Sequence, residues 1–257
     1  MDWELYEAGP EDANHTVLLL PGGLNAARSY SEVMTQPAVG DLRLIAATLP
    51  GHCGTPPPSD ITIENYARLA GELAKDRGCD VVAGFSMGAT VALEMVASGV
   101  FSGPTVLVGI SMSSADEPAF FRAIVRLGSF LGALPSAALL AMTGMMLKSV
   151  PLPPERRAEL AADFHRNKPR VIRLLLREYA RYLGRHAKPA SRLCDAGPPT
   201  WVMHAEKGDG GLTDDERRTL EACPHATVIT IPGTSYLLPN EHPEQIADII
   251  VAAVAAA

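Results

Sequence analysis

Several whole classes of protein are excluded by what this chain does not contain. Its four cysteines, Cys53, Cys79, Cys194 and Cys223, include no Cys-x-x-Cys pair, which argues against a disulfide framework and against a thiolate metal site. The seven histidines show no ligand spacing, so no metal is expected. No glycine-rich phosphate or dinucleotide loop occurs, so no cofactor is expected either. Basic residues are in the minority, 22 Lys and Arg against 29 Asp and Glu, a net charge of -7. A chain of that sign is repelled by a phosphate backbone, and nucleic acid is not an expected partner. The start, Met-Asp-Trp-Glu-Leu-Tyr-Glu, has no basic cluster and no apolar signal core. The thiols are therefore expected to be free and the address cytoplasmic.

A long uninterrupted apolar run is also missing. The stretch from Gly128 to Leu147 carries no charge and approaches the length of a bilayer-spanning helix. Pro135, three glycines, Ser129, Ser136 and Thr143 break it up, so it is expected to form short helices over an apolar cavity, with no membrane partner.

What remains is ample material for one core, 257 residues of which 47% are hydrophobic. Strand patterns at Leu5–Ala8, Thr16–Leu20, Leu42–Leu49, Val81–Ala83, Pro104–Ile110, Pro199–His204 and Ala226–Ile231 alternate with helical periods. The helices are expected at Ala26–Met34, Ile63–Lys75, after Ser86, at Asp214–Ala222 and from Glu241 to the end, with Pro243 in its first turn. Buried strands separated by helices imply a mostly parallel sheet covered on both faces, an α/β fold. From 113 to 198 the alternation stops and several helices follow one another, including an amphipathic one near Val171–Leu183 with Arg173, Arg177 and Arg181 four apart, expected to be a solvated face.

The chemistry is concentrated in Gly84-Phe85-Ser86-Met87-Gly88, where a buried strand passes straight into a helix. A serine at the tip of so tight a bend tolerates no bulk two residues to either side, and Gly84 and Gly88 supply the room. The bend lifts the Ser86 hydroxyl above the sheet end and aims the Met87 N–H at a developing oxyanion. This segment resembles the nucleophile elbow of the α/β-hydrolase family. The resemblance implies an α/β-hydrolase fold, a core of 1–112 and 199–257, and a helical cap inserted at 113–198.

The same resemblance locates the other parts of the site. Pro21-Gly22-Gly23-Leu24 is similar to the loop that gives the second oxyanion donor, with Gly23 as that donor and Leu24 as the alternative. Pro50-Gly51-His52-Cys53-Gly54 resembles the family's Pro-Gly-His-Gly segment, which shapes the site; His52 is read as structural, with proton transfer as the alternative. In the cap, Phe121, Met142, Met145 and Met146, with Phe85 of the elbow, are expected to wall an apolar substrate. The acid is sought after the strand ending near His204, where Gly208 holds the expected position. Asp209 and Glu206 are the nearest carboxylates, and Asp116 holds the alternative position one strand earlier.

The stretch Ile231-Pro232-Gly233-Thr234-Ser235-Tyr236, continuing to Glu241-His242-Pro243-Glu244, is similar to the family's histidine segment, but Tyr236 stands where the histidine belongs. His242 and His204 are the remaining substitutes. Imidazole titrates near ~6.5 and phenol near ~10, so a tyrosine at this place does not serve as the ordinary base of a serine triad. The expectation is an enzyme of this superfamily acting on a small, largely apolar ester, thioester or carbonyl substrate through Ser86, with Tyr236 as hydrogen-bond or proton donor. The alternatives are a non-hydrolytic lyase, cyclase or isomerase, and a silent ligand-binding protein.

Overall fold

The computed structural model describes residues 2–117, 119–186, 188–208 and 211–257. Strand β1 (Leu5–Ala8) is followed by β2 (Thr16–Leu20), the short helix α1 (Ser31–Met34), β3 (Arg43–Ala47), α2 (Ile63–Asp76), β4 (Val81–Phe85), α3 (Met87–Ala97) and β5 (Thr105–Val108). Five helices come next without an intervening strand: α4 (Ala119–Leu131), α5 (Leu134–Met146), α6 (Pro154–His165), α7 (Pro169–Arg185) and α8 (Pro189–Ala196). The sheet resumes with β6 (Thr200–Gly208), then α9 (Asp214–Glu221), β7 (Ala226–Ser235), α10 (Leu238–Glu241) and α11 (Pro243–Val254). The described strands form one seven-stranded sheet in the order β1-β3-β2-β4-β5-β6-β7, parallel throughout except for β1, which runs antiparallel to β3 at the edge.

The strand sequences account for the two covered faces. All five residues of β2 are buried, and they divide by alternation, Leu18 and Leu20 packing with α2, α3 and α7, Val17 and Leu19 packing with α11 and the segment around Tyr30. Because β2, β4, β5, β6 and β7 run the same way, the loops leaving them open at one edge of the sheet, and Gly23, Leu24, Ser86 and Tyr236 lie in or next to those loops.

Two elements differ from the sequence expectation. The helix expected over Ala26–Met34 is a 3-10 turn at Ala27–Tyr30 leading into α1. Strands β6 and β7 continue beyond His204 and Ile231, through a bulge between Ala205 and Lys207, until Gly208 pairs with Ser235. Apart from Ala205 and Pro232 these added residues are polar or glycine, so they carry no hydrophobic alternation that could announce them.

Helices α4 to α8 lie between β5 and β6, where the sequence implied a cap. Ion pairs tie them to the body with a consistent polarity: Arg156 to Glu32, Arg166 to Glu4, Arg185 to Glu64 and Arg192 to Glu94. In each, the cation comes from the cap and the carboxylate from the body. The Glu94 carboxylate is the most buried of the four and also accepts a hydrogen bond from the Tyr182 hydroxyl at 2.7 Å.

Candidate active site

Ser86 follows the fully buried β4 and holds φ 50° and ψ -116°, a backbone conformation that costs a non-glycine residue on the order of 1–3 kcal/mol. Its surroundings fix it there. The Ser86 N–H donates to the Val108 carbonyl at 2.8 Å, and the Ser86 carbonyl accepts from Thr90 N–H at 3.0 Å, opening α3. A Cβ on Gly84 would lie 2.3 Å from the Gly88 carbonyl oxygen, and one on Gly88 would lie 2.1 Å from the Leu20 oxygen. Neither glycine has a positive φ, so both are required by close approach of backbone to backbone.

Met87 is the first residue of α3, so its N–H has no acceptor within the helix and sits at the positive end of the helix dipole. The glycine-rich loop after β2 comes alongside it: a Cβ on Gly23 would meet Met87 Sδ at 3.6 Å and Met87 Cβ at 3.7 Å. The Leu24 N–H is already committed, donating to His52 Nδ1 at 3.0 Å. Of the two donors weighed from the sequence, Gly23 is thus the one whose amide is not taken by His52.

The loop carrying Gly23 is held by residues from three segments. Leu24 and Cys53 both have left-handed backbones, φ 71° and 47°. Asn167, at the turn between α6 and α7, bridges them: its Nδ2 donates to the Leu24 carbonyl at 2.9 Å, and its Oδ1 accepts from the Cys53 N–H at 2.9 Å. The Cys53 thiol donates to the same Leu24 carbonyl at 3.0 Å. Burial pushes that thiol up to about 12, so it is held as a neutral donor. Nothing in the sequence marked Asn167, a lone amide in an Asn-Lys-Pro turn.

None of the three histidines weighed from the sequence makes a hydrogen bond to Ser86. His52 is fully buried and burial pulls it down to about 4. Its Nδ1 accepts from Leu24, so the neutral ring carries its proton on Nε2 and has no free lone pair to offer. His204 is lowered by burial as well; its Nδ1 donates to the Ala205 carbonyl, and its Nε2 contacts Arg217 at 3.1 Å and Thr230 Oγ1 at 3.0 Å. His242 caps α11 at the start of the last helix. The Ser86 hydroxyl has no hydrogen-bond partner among the described residues.

The acid and base positions of the family pattern meet in the extended ladder. Gly208 pairs with Ser235, and Tyr236 follows at once. Tyr236 is 47% exposed, and its hydroxyl makes no hydrogen bond among the described residues. The loop beneath it is nevertheless rigidly held: one oxygen of Glu241 accepts from Ser235 Oγ, Tyr236 N–H and Leu237 N–H at 2.9, 2.8 and 2.7 Å. Glu206 lies exposed at the bulge and accepts from Gly233 N–H at 3.0 Å. Asp209 falls outside the described residues. Asp116 spends one oxygen on the Met112 and Ser113 N–H groups and the Ser113 hydroxyl, and burial pushes it up to about 6.

The expected substrate wall is in part misplaced. α5 turns Leu139, Leu140, Thr143 and the following Leu147 inward, which leaves Met142 and Met145 exposed. The side chain of Met146 lies outside the described residues. Phe85 is a core residue, wedged against Gly22 and Gly109. Phe121 is half-buried, edge-on to Tyr179, whose hydroxyl donates to Glu117. The apolar groups of the cap that reach the glycine-rich loop after β2 and the Tyr236 loop are Leu147, Val150, Leu160 and Phe164, packed with Leu24 and Leu237. Sequence reading did not single these out as a wall, because they are spread from the turn after α5, through Val150, to Leu160 and Phe164 on α6.

The model of the alpha/beta hydrolase family matches residues 17–249. The chain belongs to that family. A search of curated proteins found no match. Among solved structures, an esterase from Thermogutta terrifontis is similar at 17% identity and a TM-score of 0.76, covering 98% of this chain and 93% of that one. The thioesterase domain of the curacin biosynthetic pathway superposes with a TM-score of 0.70 at 16% identity, over 96% of this chain and 94% of the other. A hydrolase from Oleispira antarctica gives 0.71 at 14% identity, over 99% and 95%. At these identities the likeness is one of fold, that of a family of mostly hydrolytic enzymes.

Proposed function

We propose that this family member is an enzyme acting on a small, largely apolar ester, thioester or carbonyl substrate, with Ser86 at the reacting carbon and the Met87 and Gly23 amides as the oxyanion hole. One observation carries the reading: a serine kept at φ 50° between two glycines whose replacement would force backbone atoms together. Strain of this kind clusters at active sites, ligand clamps and switch regions, and here it holds a nucleophilic side chain at the end of a buried strand. The proton chemistry is rearranged, with Gly208 in the acid register and Tyr236 in the base register. Tyr236 acts as a donor to the substrate or leaving group, and the cap cluster around Leu147 and Phe164 supplies the apolar wall. Turnover by simple hydrolysis is then slower than a complete triad gives by about 10⁴ to 10⁶.

A fluorophosphonate probe tests the nucleophile. Stoichiometric labelling that is abolished in Ser86→Ala is the expected outcome, and no labelling at millimolar probe would remove the acyl-enzyme form of the proposal. A second reading, a lyase, cyclase or isomerase in which the same amides stabilise an enolate and Tyr236 is the acid, is favoured by the Ser86 hydroxyl having no acceptor among the described residues. It requires that Ser86→Ala retain most of the native turnover while Tyr236→Phe loses it.

A further inference from the structure

The charge of the molecule is sharply divided. Residues 113–198 contain 14 Lys and Arg against 7 Asp and Glu, whereas the rest of the chain contains 8 against 22. Four of the cap cations are spent on body carboxylates, Arg156, Arg166, Arg185 and Arg192. Around the hairpin of α4 and α5 the imbalance is complete, for no Asp or Glu occurs between 118 and 154, and Arg122, Arg126 and Lys148 make no ion pair among the described residues.

The same hairpin is where apolar side chains face outward. Phe130 is 80% exposed, Leu134 and Met145 each 69%, and Phe120, Leu127 and Met142 about half. Every exposed described position of α5 is apolar, namely Leu134, Ala138, Ala141, Met142 and Met145. On α4 the exposed apolar residues share the helix with exposed Arg122 and Arg126. So large and continuous an apolar face is unusual for a surface in water and marks a contact.

We propose that the outer face of the α4–α5 hairpin docks on an anionic lipid surface, lying in the interface with Phe130 and Leu134 inserted and Arg122, Arg126 and Lys148 at headgroup level. A protein partner would need hydrogen bonds at roughly one per 100–200 Å² of interface, and the α5 face offers no side chain to make them. A second copy of this chain would bring two net-positive caps together. Apolar helix faces flanked by cations fit the boundary between acyl chains and anionic headgroups. Among the described residues no helix is long and apolar enough to cross a membrane, so the proposed contact is interfacial; it differs from the expectation from sequence of no membrane partner, and vesicle binding decides between them. It is independent of the chemistry at Ser86.

Co-sedimentation of the full chain with vesicles tests this. Binding to phosphatidylcholine vesicles containing phosphatidylglycerol should exceed binding to phosphatidylcholine alone by at least ~10-fold, and should weaken as salt is raised. The double variant Phe130→Asp with Leu134→Asp should lose at least ~10-fold in partitioning, with an unchanged melting curve because both side chains are already exposed. Equal binding of wild type and variant, or no vesicle binding by the wild type, overturns the proposal. A concentration-dependent dimer that the variant abolishes, without vesicle binding, also overturns it and assigns the face to a second copy.

Discussion

The body and the cap of this chain solve the problem of burial in opposite ways. In the body the strands are apolar on both faces, the backbone approaches itself to within contact at Gly84 and Gly88, and charge is left on the outside with a large acidic excess. In the cap the helices are basic, several large apolar side chains are exposed, and the attachment to the body adds ion pairs to the core contacts of α7 and α8. A site fixed by close backbone approach is thus combined with a covering element that has apolar and cationic surface to spare. Rigid positioning belongs to the first and adaptable recognition to the second.

The sharpest contrast comes from making one substitution in both regions. Gly88→Ala places a methyl 2.1 Å from the Leu20 carbonyl oxygen and 2.6 Å from that of Pro21, with only backbone available to give way. A loss of at least ~3 kcal/mol is expected in urea unfolding, together with loss of Ser86 labelling. Gly144→Ala, in the last turn of α5, meets nothing within 4 Å. There the helix should gain about 0.5–1 kcal/mol from the lower chain entropy of alanine. Equal effects at the two positions would erase the distinction between a contact-limited body and a loosely packed cap.

Acid titration separates the regions by sign. His52, buried in the body, has its folded value near 4 against ~6.5 unfolded, so below pH ~6.5 the unfolded chain binds the proton and the folded one does not. Stability is therefore lost as pH falls from ~6.5 to ~4, by about 3 kcal/mol in all. Asp116, at the start of the cap, has its folded value near 6, above the unfolded carboxyl. Its contribution runs the other way, with stability gained as pH falls through 6. Denaturant midpoints measured from pH 7 to 4 should drop less in His52→Gln and more in Asp116→Asn than in the wild type.

The join between the two regions is Asn167. Asn167→Ala removes a donor to Leu24 and an acceptor for Cys53 at a buried position, which should cost about 1–3 kcal/mol. Since the oxyanion loop is what it holds, the rate of Ser86 labelling should fall while the binding of an apolar ligand changes little. Asn167→Asp keeps the acceptor for Cys53 and should recover part of the rate. A purely structural tether would move stability without moving the ratio of labelling to binding.

What could be read in advance follows the same division. β2 and β4 were legible because buried parallel strands write themselves as unbroken apolar runs, and the elbow was legible because close backbone approach leaves glycine as its trace at 84 and 88. The loop after β2 showed its glycines but not which amide was free; that depended on His52 reaching across from another loop. The pairing of Gly208 with Ser235 left no pattern, since neither residue is apolar. In the cap, Met142 and Met145 were read as lining because their type suits a ligand wall, yet helical phase, set by Leu139, Leu140 and Thr143 packing inward, turned them outward. Composition tells what a helix could bury; its phase depends on a partner that lies elsewhere in the chain.

The smallest structural effect is expected at Tyr236, and that is what makes it informative. Its side chain is 47% exposed, and the loop is held through main-chain amides by Glu241, so neither Tyr236→Phe nor Tyr236→His should change stability by more than ~0.5 kcal/mol. Any change in rate then reports chemistry. Tyr236→His alone places an imidazole next to a register position occupied by glycine and not by a carboxylate, so turnover of an activated ester should rise only modestly. Adding Gly208→Asp supplies that carboxylate across the β6–β7 ladder, and the double variant should exceed the product of the two single effects. If the two changes merely multiply, residues 208 and 236 do not act together on Ser86, and the rearranged site is not a hydrolase triad with two members exchanged.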